Sequence, residues 1–96
     1  MLPALALRLY QNYPNPFNPT TEIRFSLPEG CDVALDVYDV RGHLVSQLDG
    51  GHRAKGLHTI AWDGRDKNGR EMSSGVYFCR LKAGKKSISS KMVLLR

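Results

Sequence analysis

A small all-β sandwich of antiparallel sheets is what this chain predicts, on three observations. Apolar residues recur at every second position in most segments, and no stretch sustains a 3.6-residue period. Turn signals bearing Gly or Asn separate the alternating runs at intervals of about ten residues. Two stacked sheets bury one face of each strand, so a single inward stripe per strand suffices.

The chain has 96 residues, which makes one domain at most. It buries roughly 60–65% of its unfolded surface, so its core is modest. A composition 42% apolar and 24% charged is that of a globular domain rather than a disordered or membrane-embedded one. No run approaches the ~20 apolar residues of a spanning helix.

Residues 1–12 read as a linker, or an artificial start, leading into the first strand. Met1 to Leu7 is mildly apolar but short and lacks a preceding basic region, so a secretory signal peptide is not expected. Residues 13–96 then form the sandwich. Tyr13, Pro14, Asn15, Pro16, Phe17, Asn18 and Pro19 place three prolines in seven positions. Each proline fixes its own φ and pushes the preceding residue toward extended geometry. Proline lacks an amide donor, so this segment belongs at a sheet edge or a crossing between sheets. Its asparagines are expected to bond local backbone, and Tyr13 and Phe17 to plug the end of the core.

Thr21 to Leu27 alternates cleanly, with the odd residues inward, until Pro28-Glu29-Gly30 breaks the run. Cys31, Val33, Leu35 and Val37 face one way, and Asp32, Asp36 and Tyr38 the other. Asp39 to Gly42 is a turn. His43 to Leu48 reads as a short strand, followed by a loop from Asp49 to Gly56. Leu57 to Trp62 is the next strand, with Ile60 and Trp62 inward. Asp66 to Gly69 ends in Asn-Gly, a strong turn signal. In Val76 to Ala83, Tyr77, Cys79 and Leu81 share a face opposite Arg80 and Lys82. After a turn at Ala83 to Lys86, Ile88, Met92 and Leu94 mark the last strand.

The chain carries 14 Lys and Arg against 9 Asp and Glu, and the surplus sits late, at Arg80, Lys82, Lys85, Lys86, Lys91 and Arg96. Such an end suits an acidic partner or an anionic glycolipid, or simply a solvated strand face with lysine gatekeepers. The aromatic residues are not interleaved with this charge as base stacking requires, so nucleic acid is not an expected partner.

Cys31 and Cys79 fall on inward stripes. Facing strands would let them bond; otherwise they pack as small apolar thiols, and two free thiols are expected. His43, His52 and His58 lack metal-ligand spacing. Asp63 to Gly69 is the one oxygen-rich loop. Calcium is its metal reading, but Asp63 and Asp66 are expected to bond local amides instead, and no cofactor is expected. No local Ser-His-Asp motif occurs, and a small sandwich offers little room for a deep pocket, so the domain is not expected to be an enzyme.

In the tail Lys91-Met92-Val93-Leu94-Leu95-Arg96, Met92 and Leu94 face the core, leaving Val93 and Leu95 outward on an apparent last strand. Outward apolar residues on an exposed strand invite pairing with another chain. An address read by strand addition and docking against an upstream domain both fit.

The proline segment Tyr13 to Pro19, with the following Thr20 to Pro28, resembles the opening of the C-terminal sorting domains of the type 9 secretion system. The closely related family is the Ig-like domain of the flagellar hook-capping protein. Val37-Tyr38-Asp39-Val40-Arg41-Gly42, His58 to Asp66 with its central Trp62-Asp63-Gly64, Asn68-Gly69, Ser74-Gly75-Val76-Tyr77 and the tail from Lys91 to Arg96 continue the likeness in order. It covers about residues 10 to 96.

The resemblance implies an Ig-like, fibronectin-type sandwich of about seven strands without catalysis. Such a domain sits at the end of a larger secreted cargo, crosses the periplasm and carries the address read by the outer-membrane translocon. A surface sortase commonly removes it. Lys91, Val93, Leu95 and Arg96 would carry recognition, residues 13–19 would set how the chain enters the domain, and Trp62, Asp63, Gly64 and Gly75 its fold. The chain ends directly after the tail motif, as a terminal signal is expected to. A hook-capping assembly module, or an accessory carbohydrate- or cell-wall-binding domain, is the competing reading. For the latter, Tyr38 and Phe78 are the outward aromatic pair.

Overall fold

A computed structural model describes residues 6–96. Among these residues lie β1 (Arg8–Leu9), β2 (Thr21–Leu27), β3 (Cys31–Tyr38), β4 (Leu44–Arg53), β5 (Gly56–Trp62), β6 (Gly75–Ala83) and β7 (Lys86–Leu94). They form two sheets, β1-β2-β5 and β4-β3-β6-β7, with every strand pairing antiparallel. This is the antiparallel sandwich that the alternation predicts, with the Ig-like form that the resemblance implies. Among the described residues no helix is long and apolar enough to cross a membrane.

The core is the sum of the inward stripes. Ile23, Phe25 and Leu27 from one sheet meet Val33, Leu35, Val37, Leu81, Met92 and Leu94 from the other, all 5% exposed or less. At one end Trp62 packs between Phe17 and Tyr77, with ring centroids 5.5 and 5.4 Å away. The tilted and edge-on geometries suit aromatic quadrupoles. Trp62 Nε1 donates to the Arg65 carbonyl at 3.0 Å, and the Tyr77 hydroxyl to the Ser73 carbonyl at 2.7 Å. The second bond, from a Tyr two residues before a Cys on the same strand, is the tyrosine corner of Ig sandwiches.

Two expectations need correction. β4 does not stop at Leu48. It runs on through Gly50 and Gly51, which pair with Ala34 and Val33. Glycines have no side chain to alternate, so the second half of the strand leaves no periodic trace in the sequence. Two register shifts along β3 leave Val45 and Leu48 as the extra residues of bulges, and both pack into the core.

Second, Tyr13 does not plug the core: it is 75% exposed, whereas Phe17 is 2% exposed. Tyr13 instead exchanges both backbone bonds with Glu22, at 3.0 and 2.9 Å. That pairing turns its ring away from the sandwich interior.

Cys31 and Cys79, for which a bond is the alternative to two free thiols, do not face each other. Both thiols are free. They lie on neighbouring strands of one sheet, with Cys79 opposite Val37. Six residues along β3 separate that position from Cys31, about 20 Å and far beyond the reach of a disulfide. Burial, helped by the charge of Asp36, pushes the Cys79 thiol up to about 12.

Within the linker expected over residues 1–12, residues 1–5 lie outside the described ones. Arg8 and Leu9 pair with Ser26 and Phe25. The Ser26 hydroxyl, buried beneath this short strand, donates to the Ala6 carbonyl at 2.6 Å.

Candidate functional site

β7 is one of the two outer strands of the four-stranded sheet, and it carries the tail residues. It pairs with β6 without a register shift from Gly75↔Leu94 to Ala83↔Lys86. The backbone of its odd-numbered residues points away from β6. The Val93 amide donates to Asn15 Oδ1 at 2.9 Å, and the Val93 carbonyl accepts from the Phe17 amide at 3.0 Å. The Leu95 amide donates to the Phe17 carbonyl at 3.0 Å, and the Lys91 carbonyl accepts from the Gln11 amide group at 2.9 Å.

The tail is therefore not a free edge. The proline segment straps it from Lys91 to Leu95. Phe17 makes the strap possible: its ring enters the core beside Trp62 while its backbone supplies both groups of a parallel bridge to Leu94. Asn15 bonds a distant strand rather than local backbone. The local role falls to buried Asn12, which donates to Pro14 O at 3.2 Å and to Thr21 Oγ1 at 3.0 Å. The strap thus joins the two sheets, through Tyr13 on one side and Phe17 on the other. Pro14, Pro16, Asn18 and Pro19 stay on the surface.

Arg96 is also engaged. Its Nε donates to Met72 O at 2.5 Å, its Nη2 to Gly64 O at 2.6 Å, and its backbone amide to Ser74 Oγ at 2.8 Å. Glu71 Oε2 lies 3.7 Å from Nη1. This latch holds the segment between β5 and β6 against the end of β7. Gly64 sits beneath it with φ +74; a Cβ there would lie 2.9 Å from Arg96 Nη2 and 3.0 Å from Pro19 O. Only glycine fits both the dihedral and the gap. Gly75 begins β6, opposite Leu94, and Asp63 Oδ1 accepts from the Arg65 amide at 3.0 Å.

The side chains of Lys91, Val93 and Leu95 lie off the core, while Met92 and Leu94 are buried in it; beside them runs the outer face of the sheet. There Leu44, Tyr38, Phe78 and Lys91 stand side by side across four strands, and Val76 lies opposite Val93. Phe78 and Leu44 are 37% and 40% exposed, and Leu95 at the strand end is 52% exposed. The next row holds Asp36, Arg80 and Ser89. The Arg80 guanidinium lies 5.0 Å above the Tyr38 ring and donates to its hydroxyl at 3.1 Å. That hydroxyl sits 3.5 Å from Asp36 Oδ2. Asp36, expected on the face away from the core stripe, is buried under this lid. Its Oδ1 and Arg80 Nε have no partner among the described residues. The covering is legible only once the strand register is known.

The oxygen-rich loops serve the backbone. Asp39 and Asp66 head two copies of one loop, Asp39 to His43 and Asp66 to Arg70. In each, the first aspartate bonds the backbone of the fifth residue, the glycine amide returns to the aspartate carbonyl, and Oδ1 accepts two further amides at 2.9 Å. The amides of His43 and Arg70, respectively, are the main cause holding each carboxyl below its usual value. Among the described residues no group of three His, Cys, Asp or Glu side chains is placed to hold a metal. His43, His52 and His58 stand apart, against Asp39, Asp32 and the Ala54 carbonyl.

The FlgD Ig-like domain family matches residues 13–87. Among solved structures, dimeric latent PorU from Porphyromonas gingivalis contains a region superposing with TM-score 0.70 at 22% identity, covering 99% of this chain and 10% of that one. PorZ, an essential surface component of the type-IX secretion system of the same bacterium, gives TM-score 0.63 at 22% identity over 92% of this chain and 11% of its own. FlgD from P. aeruginosa gives TM-score 0.62 at 28% identity, covering 78% of this chain and 60% of that protein. The chain thus spans about a tenth of PorU and PorZ, and at 22% identity those likenesses are of fold. No curated protein sequence matches it significantly.

Proposed function

The chain belongs to the FlgD Ig-like domain family, and on that premise we propose that it is a non-catalytic module carrying the export address of a larger protein. The address is that of the type 9 outer-membrane translocon. The module crosses the periplasm folded, brings an upstream cargo domain to the cell surface, and is cut off there by the sortase. No cofactor takes part.

One observation supports this reading above others. Lys91, Val93 and Leu95 offer side chains at one rim of the sheet, and Lys91 and Leu95 are exposed. An exposed Leu beside a half-buried Val and a Lys forms a small amphipathic edge suited to a receptor. Because the strap occupies the backbone of Val93 and Leu95, the receptor reads side chains there. Arg96 acts indirectly, by positioning the strand end.

The test fuses the chain behind a reporter in a bacterium with this secretion route. Lys91→Glu and Leu95→Asp alter the rim and leave the core intact, so both are expected to hold the reporter in the periplasm. Export at the unsubstituted level by both variants contradicts the reading. The family match ends at residue 87, before the tail, which favours a second reading as a hook-capping assembly module. On that reading the same substitutions leave export and assembly unchanged, while changes within residues 13–87 abolish assembly.

A further inference from the structure

We propose that the open half of the β7 edge, from Lys86 to Ser90, binds an acidic polypeptide in extended conformation by adding it to the sheet as a fifth strand.

The first support is the backbone. Val93 and Leu95 turn their amides away from β6 to reach Asn15 and Phe17. Strand geometry repeats every two residues, so the backbone groups of Ser87 and Ser89 point the same way. Among the described residues no strand is hydrogen-bonded beyond them; β1, which packs near β7, pairs with β2 instead. The strap ends at Lys91, so the edge is divided into a covered half and an open half. An unpaired amide row selects an extended peptide over a lipid headgroup, because only a peptide returns the ladder bonds.

Charge supplies the second support. From Met72 to Arg96 the chain holds six of its 14 basic residues and none of its 9 acidic ones. Lys82 stands opposite Ser87 and Arg80 opposite Ser89, with exposed Lys85, Lys86 and Lys91 at the two ends. The short serines leave room for Lys82 to lean over β7, whereas the Arg80 guanidinium is held over Tyr38 on the β3 side. An added strand would run about 10 Å from β6, within reach of such side chains once the partner's own carboxylates extend toward them. Lysines on an edge repel a like-charged edge, so a second copy of this chain is a poor occupant. An acidic strand meets complementary charge from Lys82, Lys85, Lys86 and Lys91.

The proposal is independent of export, since the measurement is made on the purified chain. The probe is a short labelled peptide alternating glutamate and valine, with a lysine–valine peptide as control. The acidic peptide is expected to bind, to weaken as salt rises, and to slow hydrogen exchange at the Ser87 and Ser89 amides. Ser89→Pro removes an edge donor without touching the bonds to β6, and is expected to weaken binding about tenfold or more. Lys82→Glu with Lys86→Glu is expected to weaken it by on the order of tenfold while preserving the thermal midpoint. No binding, equal binding of both peptides, unchanged affinity in Ser89→Pro, or binding without protection at Ser87 and Ser89 overturns the proposal. So does a dimer of the chain that protects those amides.

Discussion

The two halves of β7 solve one problem in different ways. From Lys91 to Leu95 the outer backbone is covered by Gln11, Asn15 and Phe17. From Lys86 to Ser90 it has no hydrogen-bonded strand among the described residues and is flanked by lysines. Covering and charging are both ways for a sheet to avoid indiscriminate pairing. They have different consequences. A covered edge contributes to stability and presents side chains only; a charged edge contributes little but stays open to a partner of opposite sign.

The largest expected effect separates the halves through the anchor of the strap. Phe17→Ala removes a buried ring that touches Trp62. Such truncations cost about 3–5 kcal/mol, a large share of the margin of a small domain. Urea denaturation is expected to show a loss of that order. A loss under about 1 kcal/mol would mean that the strap is not seated in the core.

A proline scan gives the next contrast. Val93→Pro deletes a bonded amide and is expected to cost about 1–3 kcal/mol, whereas Ser87→Pro deletes a free one and is expected to leave stability within about 0.5 kcal/mol. Equal losses would erase the distinction between the halves. Arg96→Gln breaks guanidinium bonds to Gly64 and Met72. It is expected to cost about 1 kcal/mol, seen as a lower thermal midpoint with the β7 edge otherwise unchanged.

The smallest effect should leave the two halves alike. Asp39 and Asp66 have carboxyl groups lowered in the fold, mainly by backbone amides. A carboxyl lowered by folding adds stability above its unfolded value, and that stability is lost as pH falls through the folded value. Acid titration is therefore expected to weaken the chain below about pH 4, and Asp39→Asn with Asp66→Asn to flatten that dependence. An unchanged acid limb in the double variant would contradict the role given to these loops.

How much of this was legible beforehand follows from the range of each signal. The stripes of β2, β3 and β6 could be read residue by residue, because alternation is local and both bulky and polar side chains mark it. Gly50 and Gly51 concealed half of β4 for want of any side chain. The tail was recognisable as the last strand with Val93 and Leu95 outward. Its strap was not, since Phe17 meets Leu94 across nearly the whole chain and such a bridge leaves no periodic mark. Tyr13 misled for a related reason: an aromatic beside prolines looks like core, but its backbone pairing with Glu22 sends the ring outside. The burial of Asp36 beneath Tyr38 and Arg80 likewise required the register of two strands.

Residue-resolved hydrogen exchange along β7 tests the central claim most directly. The account predicts slow exchange at Val93 and Leu95 and rapid exchange at Ser87 and Ser89 in the free protein, with Asn15→Ala accelerating Val93 alone. Uniform protection along the strand, or rapid exchange at Val93 and Leu95 in the unsubstituted chain, would contradict it.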